Sequence, residues 1–194
     1  MEPRLRCARV VFSLPHNGAS NNISVINTGT QTVVATISIG GSSGAGPAFL
    51  AIHPTGNVLY ATKLADDAVY VIDTLTNTVI TPIEVGGLPV GIAIDPKGKH
   101  VYVTNEGSKS VSVIDTATNT VSATIPVGHS PAGIAVDSTG SVVYVANNGD
   151  NNVWVIDTVT NNVTTVIPTG AGPEAFGHFI GKSPHQHFIF HQKP

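Results

Sequence analysis

Charge is the scarcest thing in this sequence. Lys and Arg number 9 and Asp and Glu 12, together 11% of 194 residues, against the quarter usual in soluble domains. So few cations form no basic stripe, and a net charge of -3 gives general nucleic-acid binding no electrostatic footing. The single cysteine, Cys7, excludes an internal disulfide framework and is neutral about compartment. Apolar runs stay short throughout, none approaching the roughly 20 residues of a membrane-spanning helix, so no transmembrane segment is expected. Helical periodicity is missing too: apolar residues alternate with polar ones instead of recurring at a helix's spacing, which leaves helix nearly absent.

What is present is repetition. "VYVTNEGSKSVSVIDTATNTVSATIPVG" from Val101 returns as "VYVANNGDNNVWVIDTVTNNVTTVIPTG" from Val143. Asp73, Asp115 and Asp157 stand 42 residues apart, and Tyr60, Tyr102 and Tyr144 keep the same step, as do Pro47, Pro89, Pro131 and Pro173. Asn27 sits 46 before Asp73, and the four extra residues fall in "GGSSGAGP", a flexible loop insertion. Within a unit, "GIAID", "HVYVTN", "SVSVID" and "TVSATIPVG" read as four strands. "DPKG" separates the first two with type I turn chemistry, and "DTATNT" separates the last two through Asp and an Asn that tolerates positive φ. Antiparallel strands in fours at this period are the arithmetic of a β-propeller blade. A chain of 194 residues can bury about 70% of its unfolded surface, enough to build a core without staples.

Three blades read as continuous, at 47–85, 89–127 and 131–167. The remaining strands lie at the two ends: three in "RVVFSLP", "NNISVIN" and "TVVATISI", and one in "PEAFGHFI". Residues 9–39 plus 173–180 thus make a fourth blade, with the strand around Pro173 pairing beside the strand around Ser24. This closure removes sheet edges that invite aggregation. The expectation is an all-β, four-bladed propeller over 9–181, with tails at 1–8 and 182–194. Small residues on the inner strands, Gly91 with Ala93 and Gly133 with Ala135, permit close approach near an axis. The alternative is an open arc or a fragment of a larger, seven- or eight-bladed ring. The closed monomer is favoured over a homodimer that shares one ring.

"VYVTN", "VSVIDTATNTVSATIPVG" and "PAGIAVDSTG" resemble the YVTN-type β-propeller repeat of surface-layer and periplasmic proteins, over nearly the whole chain. The resemblance implies a prokaryotic cell-surface, periplasmic or extracellular setting. It implies no single activity. "MEPRLRCARVV" carries Arg as a signal's first region does but lacks a long apolar stretch and a cleavage-like site, so no export signal is visible and a truncated start stays open beside a native one.

Residues that recur in every blade are architecture, and on that ground Asp73, Asp115, Asp157, Asp95 and Asp137 are assigned to turns. No catalytic residue, metal or cofactor is assigned. Residues that differ between blades carry more information about function, since loops vary without disturbing sheets. Loops joining the second and third strands should share a face with those joining successive blades. That face gathers His16, Asn17, Lys63, Asp66, Asp67, Asn105, Glu106, Lys109, His129, Asn147, Asn148, Asp150 and Glu174. Their mixture of charges and amides suits a polar ligand or a protein partner. Asp66, Asp67 and Asp150 offer hard oxygen ligands, but not at the spacing of a calcium-binding loop. His178, His185, His187 and His191 read as part of a poorly ordered tail. Trp154, equivalent to Tyr70 and Ser112, reads as a packing or exposed aromatic. The expected function is a non-enzymatic binding scaffold; the alternatives are a lactonase-like hydrolase and a structural remnant of a longer array.

Overall fold

The computed structural model describes residues 10–13, 21–41 and 46–174. Every strand pairing is antiparallel, and the sheets follow the chain in order. The first holds β1 (Val10–Ser13), β2 (Asn22–Asn27) and β3 (Thr32–Ser38). The second holds β4 (Pro47–Ile52), β5 (Val58–Lys63), β6 (Ala68–Asp73) and β7 (Thr78–Glu84). The third runs β8 (Pro89–Ile94), β9 (His100–Asn105), β10 (Ser110–Asp115) and β11 (Thr120–Pro126). The fourth runs β12 (Pro131–Val136), β13 (Val142–Asn147), β14 (Asn152–Asp157) and β15 (Asn162–Pro168). Helix among the described residues amounts to two single 3₁₀ turns, Leu64–Asp66 and Asn148–Asp150.

The turns explain why the chain folds back where it does. At 95–98 the Gly98 N–H donates to the Asp95 carbonyl at 2.9 Å, and Gly98 holds φ +73°. A side chain at Gly98 would be strained by that φ and would also strike the His53 ring of the preceding blade. Between third and fourth strands, Asn77, Asn119 and Asn161 all take the left-handed conformation, as does Gln31. The Asp115 carboxylate fastens this turn by accepting the N–H groups of Ala117 (2.8 Å) and Thr118 (3.1 Å). These donors hold the Asp115 carboxyl below its ordinary range, as Thr76 with Leu75 and Thr160 with Val159 do for Asp73 and Asp157. A bulge recurs one step on, after Val25, Val71, Val113 and Val155, and gives each outer strand the same bend.

The sheets stack face to face through three apolar layers. Ile23, Val25 and Ile37 of the first sheet meet Leu59, Ala61 and Ile72 of the second. Tyr60, Val69 and Ile83 then meet Val101, Val103 and Ile114, and Val111, Val113 and Ile125 meet Val143, Val145 and Ile156. Along the inner edge, β8 lies between β4 and β12. There the Thr62 hydroxyl donates to the Val90 carbonyl (3.0 Å) and Thr104 to the Ala132 carbonyl (3.2 Å), each crossing from one blade to the next. A Cβ on Gly91 would run into the Ala132 carbonyl, so the inner strands approach as closely as their small residues require. Among the described residues no packing of similar extent brings the fourth sheet to the first, and the arrangement is that of an open stretch of propeller.

One expected pairing is corrected. β2, which carries Ser24, has β1 on one side (Ser13↔Ser24) and β3 on the other (Ser24↔Thr36), so no edge is left there for a further strand. The edges of that sheet are β1 and β3. Of the segment assigned to closure, Pro173 and Glu174 are described; residues 175–180, the tail histidines and both expected tails, 1–8 and 182–194, lie outside the described residues.

Candidate binding face

At the junctions whose loops are described, the loop between second and third strands is laced to a connection between blades. Asp67 accepts the Leu88 N–H at 2.8 Å, and the Ser108 hydroxyl accepts the Gly87 N–H at 2.7 Å. Glu106 and Gly107 donate backbone N–H groups to the carbonyls of Leu88 and Gly87. The next junction repeats the scheme, with the N–H groups of Asn148 and Gly149 donating to Ser130 and His129. Asp150 accepts the His129 N–H at 2.7 Å and meets the imidazole Nδ1 at 2.9 Å. The His129 N–H, then its ring, lowers the Asp150 carboxyl from its ordinary value. Asn148 donates its amide to Glu174 at 3.2 Å. The two loop sets therefore do share one face.

Three residues assigned to that face are withdrawn from its surface. Lys63, Asn105 and Asn147 occupy equivalent positions at the ends of β5, β9 and β13, and all three are fully buried. Lys63 Nζ donates to the Gly40 carbonyl (2.5 Å), pairs with Asp66 (2.8 Å) and lies 5.6 Å from the centre of the Tyr70 ring. Tyr70 in turn donates its hydroxyl to Asp66 at 2.7 Å, and burial followed by Asp66 pushes its phenol up to about 12. A buried ammonium without partners is too costly to keep, and this network supplies them. Asn105 donates to Ser110 (3.0 Å) and Ser112 (2.9 Å), and Asn147 to Asn152 (3.1 Å). These side chains hold the loops from beneath and are not positioned to touch a ligand.

What the face offers outward is Glu106, Lys109 and Asp67, all exposed, the His129–Asp150 pair, and Asn148 with Glu174. His16 and Asn17 lie outside the described residues. Among the described residues no three His, Cys, Asp or Glu side chains gather as a metal site, and no helix is long and apolar enough to cross a membrane. His53, standing where the next blade has Asp95, links two blades instead, its Nε2 lying 3.0 Å from the Gly98 carbonyl.

Radially stacked four-stranded sheets joined by laced loops define a β-propeller. The family model of YNCE-like beta-propellers matches residues 11–139, more than half of the chain, and the chain belongs to that family. Among solved structures it is similar to Kuenenia stuttgartiensis hydrazine synthase, with 32% identity and a TM-score of 0.64 over 66% of this chain. The match spans 37% of that chain. No curated protein sequence matches.

Proposed function

We propose that this protein is a non-enzymatic propeller scaffold whose laced loop face binds a polar ligand or a protein partner in a cell-surface, periplasmic or extracellular setting. One observation carries the reading. The framework of turns, bulges and apolar layers repeats from blade to blade, while the outward groups of the described loops differ: Asp67 on the second blade's loop, Glu106 and Lys109 on the third's, then Asp150, paired with His129, on the fourth's. A constant scaffold with variable, mixed-charge loops is how a fold presents a recognition surface. The setting rests on the resemblance to YVTN-type repeats, which are common in exported proteins.

Amide resonances report binding directly. A panel of neutral and charged oligosaccharides and of short acidic and basic peptides, titrated against labelled protein, should shift residues 64–67, 106–109 and 148–150 together. Saturable shifts confined to the sheet faces would remove the loop face as the recognition surface. The absence of enzymatic activity has its own check: turnover of a lactone panel, with or without added divalent cations, would replace the scaffold reading with a hydrolase.

A further inference from the structure

Each pair of neighbouring blades encloses a cleft, and one position on the third strand decides what fills it. In the second blade that position is Tyr70, packed against Ile23, Val25 and Ile37 of the first. In the fourth it is Trp154, packed against Val111, Val113 and Ile125 of the third. In the third blade it is Ser112. Where the other two clefts hold an aromatic ring, this one holds an open groove of about 560 Å³. Glu84, Val85 and Gly86 form one wall, Ser108 and Thr124 flank the other, and Ser110 and Ser112 lie at the bottom. Its size falls in the range of small-molecule sites, roughly 300–1,000 Å³.

The polar groups around it are arranged as a ring's substituent needs. The Asn105 side-chain amide, fully buried, donates to both Ser110 and Ser112, so each hydroxyl keeps its own hydrogen to donate. At the outer end, Ser108 stands where the second blade has Asp66, the residue that receives the Tyr70 hydroxyl.

From this we infer that the cleft between the second and third blades is a binding site for a single planar aromatic ring bearing a hydroxyl or N–H group, a phenol or an indole. The ring lies along the course that Tyr70 takes in the neighbouring cleft. Its apolar body rests on Val85, and its polar edge meets the serine hydroxyls. The inference is separable from the loop-face reading, because it concerns a cleft between sheets and predicts shifts at 84–86 and 110–112, where that reading predicts none.

The probes are p-cresol and indole, titrated into labelled protein. Saturable shifts should appear at Glu84 to Gly86 and Ser108 to Ser112, and not at the matching residues of the other clefts. Ser112→Tyr supplies the ring covalently, so it should raise the melting temperature and weaken p-cresol at least tenfold. Ser108→Trp, at the exposed rim, blocks the entrance without touching the interior and should weaken it similarly. A free phenol and a partner's tyrosine share this chemistry; N-acetyltyrosinamide separates them, binding as well as p-cresol if the groove takes a side chain and at least tenfold more weakly if it takes a free ring. Shifts spread over all clefts, or p-cresol bound equally by parent and both variants, would overturn the site.

Discussion

The third and fourth blades are nearly the same sequence in different company. Ile125 on β11 is 4% exposed, while its equivalent Ile167 on β15 is 38% exposed. Val113 and Tyr102 are buried in the third blade; Val155 and Tyr144, one step of the repeat later, are only half-buried. The third blade has a neighbour on both faces, and the described part of the fourth has one on a single face. Burial in a propeller is therefore a property of a blade's place in the series, and identical side chains contribute unequally to stability.

The largest test of that contrast removes the same side chain twice. Ile125→Ala should cost about 2–5 kcal/mol, as truncations in a packed core do. Ile167→Ala, with much of its surface already in water, should cost about 1 kcal/mol or less. Urea unfolding followed by circular dichroism measures both, and fluorescence of Trp154, the only tryptophan, reports the junction between these two blades. Equal losses would mean that the last face is covered in solution.

A second test moves to the turns. Gly98→Val should destabilise by roughly 1–3 kcal/mol from its positive φ. It should exceed Gly140→Val, because a Cβ at Gly98 meets the His53 ring, whereas one at Gly140 lies 3.4 Å from Pro96, ordinary contact. If the two midpoints fall together, the His53 contact contributes nothing.

The smallest expected effect is one on which the blades should agree. Asp115 and Asp157 both have carboxyls lowered by turn N–H groups, and both turns face water in either blade. A carboxyl depressed in the folded state adds stability that is present above its unfolded value, about 3.9, and is lost as pH falls through the folded value. Asp115→Asn should lower the neutral-pH midpoint slightly, with the gap closing as pH drops below about 4. The turn itself should survive, since Asn27 already fastens the first blade's turn, accepting the N–H groups of Gly29 and Thr30. An Asp157→Asn pH profile that departs from this one would show that the turns, too, feel their place in the series.

The framework was legible because its determinants are local. A Gly at the end of "DPKG" and an Asn in "DTATNT" each announce a positive φ within a few residues, and observed strand limits follow the 42-residue step. The site was less legible because its determinants act between blades. Lys63 reads as a rim cation from its type alone; it is buried because Gly40, Asp66 and Tyr70 converge on it from three segments. Its repeat equivalents, Asn105 and Asn147, carried the signal, since amides that donate inward in that column fit an interior position better than a loop tip. Likewise the column Tyr70, Ser112, Trp154 was visible, but a gap in packing has no letter of its own.

The threonine bonds along the inner edge have a mechanical consequence. Thr62 and Thr104 each fasten one blade to the next, and the series stops at Ala146, the equivalent residue of the fourth blade, which has no hydroxyl. Pulled from its C-terminal side, the molecule behaves as a strap with one soft edge and one riveted edge. The hydrogen bonds of β15 to β14 are loaded one after another and unzip at low force. The bond from Thr104 on β9 to Ala132 on β12 and the side chains packed along that junction share the load, so it should yield last. A single-molecule extension trace should accordingly climb, with small early steps from the outer strands of the fourth blade and a higher rupture when the inner edge parts.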